Sequence, residues 1–183
     1  GEGLPCTILL YSIMVGVRLG VRHLAALGYR KIAFASNDVD WENAAYAGYR
    51  QALAEAGLAT GQRRILTKGY KAVPEIFIPG MRKILDEGCD AIFAGSDPLA
   101  LHIVDYLRQQ GVKIPGEIGV MVPDGLPGAN QYPPYHSSIR PIYNEAIKEA
   151  ISAIEVPGGE VSSGKVIVVH PEVLSGQTVA RRA

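Results

Sequence analysis

Cysteine is nearly missing from the chain: Cys6 and Cys89 are the only two among 183 residues. Two thiols so far apart frame no disulfide scaffold, and isolated thiols of this kind behave as small buried apolar groups. They fit a reducing compartment, so a cytoplasmic location is expected. A charge excess of either sign is also missing, with 18 Lys and Arg against 18 Asp and Glu. That balance excludes a broad cationic surface for nucleic acid within these residues. No apolar run reaches the roughly 20 residues that a membrane-spanning helix needs. The apolar stretch from Cys6 to Val17 runs straight into a helical pattern without a small-residue cleavage signal, so no signal peptide is expected there.

The motifs of catalysis are missing too. Of the four histidines, His23 and His102 fall in helical patterns, His136 in a loop and His170 at a strand end. None has the spacing of a metal-binding pair. There is no G-x-S-x-G nucleophile elbow and no G-x-G-x-x-G dinucleotide turn. Gly159 to Lys165 approaches a phosphate-binding loop, but Val166 stands where that loop needs Ser or Thr, and the segment enters a strand rather than a helix. It reads as a turn. The expectation is a protein that is not an enzyme, with no catalytic residue, no metal ligand and no cofactor.

What is present is an ordinary globular balance, 48% hydrophobic and 20% charged, arranged in alternating patterns. Val17, Val21, Leu24 and Leu27 recur at helical spacing, and Gly28 follows as a C-terminal stop. Residues 31–36 (KIAFAS) are apolar on both faces, as a strand in a covered parallel sheet must be. A helix from Trp41 to Ala56 closes at Gly57, and Arg63 to Thr67 gives a weaker strand. A helical pattern from Val73 to Glu87 is interrupted by Pro79-Gly80, which predicts a kink or two pieces. A strand from Cys89 to Ala94, a helix from Pro98 to Gln110 with Gly111 beyond it, and a strand from Ile118 to Val122 continue the alternation. Ser137 to Arg140 is a further short strand. A helix to about Ile154 follows, then a β-branched strand from Lys165 to His170. Strand and helix alternating over short connections predict right-handed βαβ crossovers and a doubly wound sheet.

In such sheets ligands meet the chain just beyond the carboxyl ends of the strands. Asp124 follows the strand Ile118–Val122 and opens a Gly/Pro-rich loop, which makes it the leading candidate for a ligand contact. A carboxylate there accepts paired hydrogen bonds from adjacent hydroxyls, the chemistry that a sugar or other polyol presents. Ser96 and Asp97 follow the strand Cys89–Ala94. Asp97 either caps the helix that starts at Pro98 or joins Ser96 in presenting oxygen to the crevice. Asp38 and Trp41, beyond the strand Lys31–Ser36, are candidates on the same ground. Tyr70 and Tyr143 offer flat apolar faces for such a ligand, or ordinary packing.

Several segments together resemble one family. They are His23 to Phe34 (HLAALGYRKIAF), Gly48 to Leu58 (GYRQALAEAGL), Asp90 to Ala100 (DAIFAGSDPLA) and Gly111 to Asp124 (GVKIPGEIGVMVPD). Leu126 to Ala129, Pro133-Pro134, Ser137 to Arg140 and Pro171 to Thr178 extend the match in order. The chain resembles the effector-binding domain of bacterial transcriptional repressors of the lactose/galactose repressor family. The resemblance implies an α/β fold of the type I periplasmic-binding-protein kind: two Rossmann-like lobes of parallel sheet flanked by helices and joined by three crossovers. Carried over, it places Asp124 on the hydroxyls of an effector, Ser96 where the family usually has Asn, and Tyr70 and Tyr143 where aromatic rings pack on the ligand. Ala45 stands where the family has an effector-binding Arg, Ser12-Ile13 where it has Asp-Asn, Gly125 where it has a second Asp, and Gly176 where it has Arg.

The match corresponds to the latter two thirds of the two-lobe unit. On that reading residues 1–28 and 141–156 belong to an incomplete N-terminal lobe, and 29–136 with 165–183 form the C-terminal lobe. The implied partners are a small polar effector such as a sugar, a second copy docked through the C-terminal lobe, and operator DNA reached only through an N-terminal head outside this chain. No membrane partner is implied. A solute-binding protein for transport or chemotaxis is the alternative function on the same fold.

Overall fold

The computed structural model describes residues 8–37, 42–59, 64–67, 74–123, 137–141, 143–154 and 166–182. In chain order the elements are β1 (Ile8–Tyr11), α1 (Ile13–Ala26), β2 (Ile32–Asn37), α2 (Glu42–Glu55), β3 (Arg64–Thr67), α3 (Pro74–Asp86) and β4 (Ala91–Ala94). They continue with α4 (Asp97–Gln109), β5 (Gly119–Val122), β6 (Ser137–Pro141), α5 (Tyr143–Ile154), β7 (Val166–Val169) and β8 (Pro171–Leu174). Among the described residues these strands form a six-stranded sheet in the order β3-β2-β4-β5-β6-β8 and a two-stranded sheet of β1 and β7.

The apolar run of β2 finds its explanation in the layers around it. Ala33 and Ala35 turn to one side with Ile92, Ala94, Val120 and Val122, under Phe77, Met81 and Ile84 of α3 and Leu99, Ile103 and Leu107 of α4. Ile32 and Phe34 turn to the other with Ala91, Phe93, Met121 and Ile139, under α1 and α2. A strand buried on both faces has no polar side to alternate with. Phe34 stacks on Tyr49 at 5.3 Å between ring centres, and the Tyr49 hydroxyl donates to the carbonyl of Ile32 at 2.8 Å, so α2 is fixed to β2 by both contacts.

α1 and α2 approach so closely that a Cβ at Gly48 would collide with the backbone carbonyl of Met14. α1, which the sequence reading groups with residues 1–28, buries Val17, Val21 and Leu24 in the core under the six-stranded sheet. Gly57 and Gly111 end α2 and α4 at φ +66° and +75°, with nothing within 4 Å of an added Cβ. The left-handed backbone alone selects glycine at these two ends.

Two local expectations give way. α3 runs as one element through Pro79 instead of breaking there. Proline costs the helix one backbone bond, but Phe77 on one side and Met81 and Ile84 on the other are all anchored in the core, which keeps both halves in one helix and removes the two-piece alternative, while a kink at Pro79 stays compatible with it. The segment after His170, for which the sequence pattern sets no element, forms β8 antiparallel to β6, with Ser138 opposite Leu174 and Pro141 opposite Pro171. The chain beyond β8 is then fastened by polar contacts. Ser137 N–H donates to Thr178 Oγ1 at 2.8 Å, Ala180 N–H to Tyr29 Oη at 3.2 Å, and the Arg182 guanidinium lies 5.2 Å from the Tyr29 ring centre.

Three passages join the two sheets. The chain leaves β1 at Ser12 for α1, leaves β6 after Pro141 for α5, and leaves β7 at His170 for β8. α5 lies on the small sheet through Ala146 and Ala150 against Ile167, Val169 and Tyr11. This is the doubly wound, two-sheet α/β architecture that the resemblance implies.

Candidate functional site

β2, β4, β5 and β6 run parallel, so their carboxyl ends share one edge of the large sheet. The passage from β6 to α5 leaves from that same edge. Parallel register sets Phe93 beside Met121 and Val122 beside Ser138. The chain that follows β4 therefore emerges next to the chain that follows β5.

Past β4 the backbone turns at once. Gly95 N–H donates to the carbonyl of Ala35 at 2.6 Å, and a Cβ at Gly95 would stand 3.0 Å from that same oxygen. Small size at 95 is what lets the chain hug β2 before α4 begins. Ser96 then takes the N-cap position in an extended conformation, φ −157° and ψ 155°, and its carbonyl accepts from Ala100 N–H at 3.0 Å.

Of the two readings left open for Asp97, capping does not fit this geometry. Ser96 occupies the cap and makes no side-chain cap bond, while Asp97 is already helical. Asp97 is only 3% exposed, a carboxylate buried in the first turn of α4, where the helix dipole favours negative charge. The Ser96 hydroxyl oxygen is buried and has no hydrogen-bond partner among the described residues. A buried hydroxyl ordinarily has one, because leaving it unpaired costs about 1–3 kcal/mol.

Of the seven residues singled out in the sequence, Ser96 and Asp97 are thus set side by side at the strand-tip edge. Asp38, Trp41, Tyr70 and Asp124 lie outside the described residues. Tyr143 is the first residue of α5, just past the second passage, and the orientation of its side chain lies outside the description as well.

Sequence reasoning passed over Ser138, whose fully buried hydroxyl is also unpaired among the described residues. Two adjacent serines opening the strand were the available signal. Ser137 is used structurally, its hydroxyl accepting from Gly176 N–H at 3.1 Å. Ser138 lies within β6 beside Val122, not beyond a strand tip.

The arrangement at Ser96 and Asp97 offers hydroxyl and carboxylate oxygens for hydrogen bonding. Among the described residues no group of three or more His, Cys, Asp or Glu is placed to hold a metal ion. No described helix is long and apolar enough to cross a membrane. Among the described residues, the groups shifted from their ordinary titration range lie elsewhere. His23 on α1 is held below the usual imidazole range by burial. Glu55 on α2 is held below the usual carboxylate range, first by its hydrogen bond with Arg18. A cleft of about 800 Å³ lies there too, between α1 and the end of α2, away from the strand tips.

Comparison with known proteins gives this geometry a context. Residues 21–179 match the family described as periplasmic binding protein-like domain. The HTH-type transcriptional regulator AscG of Escherichia coli is 28% identical over 167 residues, covering 88% of this chain and 47% of its own length. The HTH-type transcriptional repressor PurR of Vibrio atlanticus is 25% identical over 170 residues, covering 90% of this chain and 50% of its own length. The chain therefore spans about half the length of the curated relatives it matches. Among solved structures, a LacI family transcriptional regulator from Enterococcus faecium with bound ribose superposes with a TM-score of 0.74 at 19% identity, covering 100% of this chain and 69% of its own.

Proposed function

The chain belongs to the periplasmic binding protein-like domain family, and from that premise we propose that it is the ligand-sensing portion of a transcriptional regulator. It binds a small polar effector, a sugar or related polyol, between two lobes. The observation that carries this reading is the buried Ser96 hydroxyl, unpaired among the described residues, beside the buried Asp97 carboxylate at the edge where parallel strands end. Polar groups held out of water at such an edge are suited to the hydroxyls of a guest. Asp124 grips the effector, with Ser96, Asp97, Asp38 and Trp41 around it and Tyr70 and Tyr143 as flat faces.

The division proposed gives β1, β7 and α5 to one lobe and the six-stranded sheet to the other, with α1 packed on the latter. Effector binding favours one arrangement of the lobes and shifts a two-state equilibrium, which a DNA-binding head outside this chain reads as operator affinity. No covalent step is involved. A second copy docks through the larger lobe by way of the segment after residue 70, α4 and the loop 125–132. The relatives are named as regulators of transcription, not as enzymes, which supports a non-catalytic role in the cytoplasm.

Isothermal titration calorimetry with D-ribose, other pentoses and hexoses, nucleosides and small acids tests the reading. Saturable binding of one class, weakened at least tenfold by Asp124→Asn, is expected. Binding that ignores Asp124→Asn, or no binding across the whole panel, overturns it.

A further inference from the structure

The cleft between α1 and the end of α2 has more positive charge than its own structure uses. Arg18, Arg22 and Arg30 line it, with Glu55 as its one carboxylate among the described residues. Glu55 is engaged by Arg18 through both oxygens, Nε at 3.1 Å and Nη2 at 2.8 Å. Arg22 reaches that carboxylate only at 3.9 Å, beyond hydrogen-bond distance, and is largely exposed. Arg30 spends Nη1 on the carbonyls of Ala25 and Tyr29, and its guanidinium has no other partner among the described residues.

Local charge can be summed. Both helices end at the cleft, and each carboxyl end contributes roughly half a negative charge, so that Glu55 and two helix ends offset about two of the three guanidiniums. About one positive charge remains, together with the unused donors of two rigid forks. Ala25, Ala26 and Ala56 with Gly57 make a small-residue floor, and a volume of about 800 Å³ exceeds what a bare ion fills. Guanidinium forks match phosphate oxygens in pairs, and the alanine floor suits a short organic body.

We propose that this cleft binds the phosphate group of a small phosphate monoester at Arg22 and Arg30, at a site separate from the strand-tip edge. Glu55 is an internal competitor: its charge occupies Arg18 and repels the incoming dianion. Arg18 and Arg22 also line a second hollow with Val15, Leu19, His170 and Pro171, at the third passage between the sheets. The bound group thus lies against the helix that meets that passage.

Titration of the full chain with inorganic phosphate and with glycerol 3-phosphate, at constant ionic strength, tests the assignment. Saturable binding at about 1 mM or tighter is expected for at least one probe. Arg22→Gln, an exposed change that leaves folding intact, is expected to weaken it about tenfold, the worth of a charge-assisted hydrogen bond. Glu55→Gln is expected to tighten it, a direction that misfolding cannot imitate. Asp124→Asn is expected to leave it unchanged, which separates this site from the effector site. Tighter binding of the ester identifies the ester as ligand, and equal binding identifies the free ion. Absence of saturation with both probes overturns the proposal, as does binding that survives Arg22→Gln unchanged or that Glu55→Gln weakens.

Discussion

Replacing Ser96 by alanine sets stability and ligand affinity against one another. The hydroxyl is buried without a partner among the described residues, so the folded state carries the cost of removing it from water. That cost is about 1–3 kcal/mol, and alanine removes it while losing only the packing of one oxygen. The unliganded Ser96→Ala protein should therefore gain about 1 kcal/mol. With a urea dependence of about 2 kcal/mol per molar, the unfolding midpoint rises by about 0.5 M. The effector should behave in the opposite sense. If the hydroxyl bonds the ligand, its loss costs about 1 kcal/mol of affinity, up to roughly tenfold. At an effector concentration near 100 times the dissociation constant, ligand raises stability by about 2.7 kcal/mol, and a tenfold weaker variant gains only about 1.4. Ser138→Ala supplies the control, because its hydroxyl is also buried and unpaired among the described residues but lies inside β6. It should gain stability and keep the full ligand increment. Urea titrations of the three proteins with and without effector provide every number. A drop of 1 kcal/mol or more in unliganded Ser96→Ala, or a ligand increment equal to that of the parent, refutes the reasoning.

Other perturbations follow from the packing. Gly48→Ala improves helix propensity by about 1 kcal/mol, yet its Cβ meets the Met14 carbonyl, so a net loss of about 1–3 kcal/mol is expected in urea unfolding; a gain would show that α1 and α2 are not in close contact. Arg182→Ala removes the guanidinium from the Tyr29 ring and its donation to the Glu117 carbonyl. Amide exchange should then accelerate at Ala180 and Arg182, whose N–H groups are bonded to Tyr29 and Leu27. His23 has its folded pKa below the ordinary 6.5, so its proton binds the unfolded chain more tightly. Its contribution is present above that value and is lost as pH falls from about 6.5 toward the lower folded pKa; His23→Gln should flatten stability across that interval. Glu55, whose folded pKa is depressed chiefly by Arg18, acts at lower pH. Its contribution is complete above the ordinary carboxylate value and fades as pH falls through the folded one, a slope that Arg18→Gln should reduce.

The large sheet was legible because its residues carry local instructions. Residues 32–35 are apolar on both faces and could lie only between two helical layers, and Gly57 and Gly111 mark helix ends by backbone conformation alone. β8 was not legible. Its residues are all half-buried, with no alternation, and their strand state comes from pairing with β6, more than 30 residues away. Asp97 was assigned one position too early relative to its helix, because both Ser96 and Asp97 are residue types that cap and only the backbone angles at 96 decide between them. The ion pair between Arg18 and Glu55 lies 37 residues apart in sequence and depends on the packing of α1 on α2. No motif announces it. The strand-tip candidates were chosen by topology, and the edge holding Ser96 and Asp97 is where that reasoning can be followed into side chains.

The proposed coupling depends on where the passages between sheets occur. A ligand shifts an equilibrium only by its difference in affinity between two arrangements, so a site confined to one rigid layer couples to nothing. Ser96 and Asp97 sit at the carboxyl edge of the large sheet, and the passage after Pro141 leaves from that edge. An effector held there touches the body that carries α4 and lies close to the chain that must bend when the sheets move. A coupling of 1–3 kcal/mol, typical of allosteric proteins, needs one or two hydrogen bonds made in one arrangement and lost in the other. The Ser96 hydroxyl, unpaired among the described residues, is a group from which the proposed difference could be built, since a bond from it to a guest would be made only in the bound arrangement.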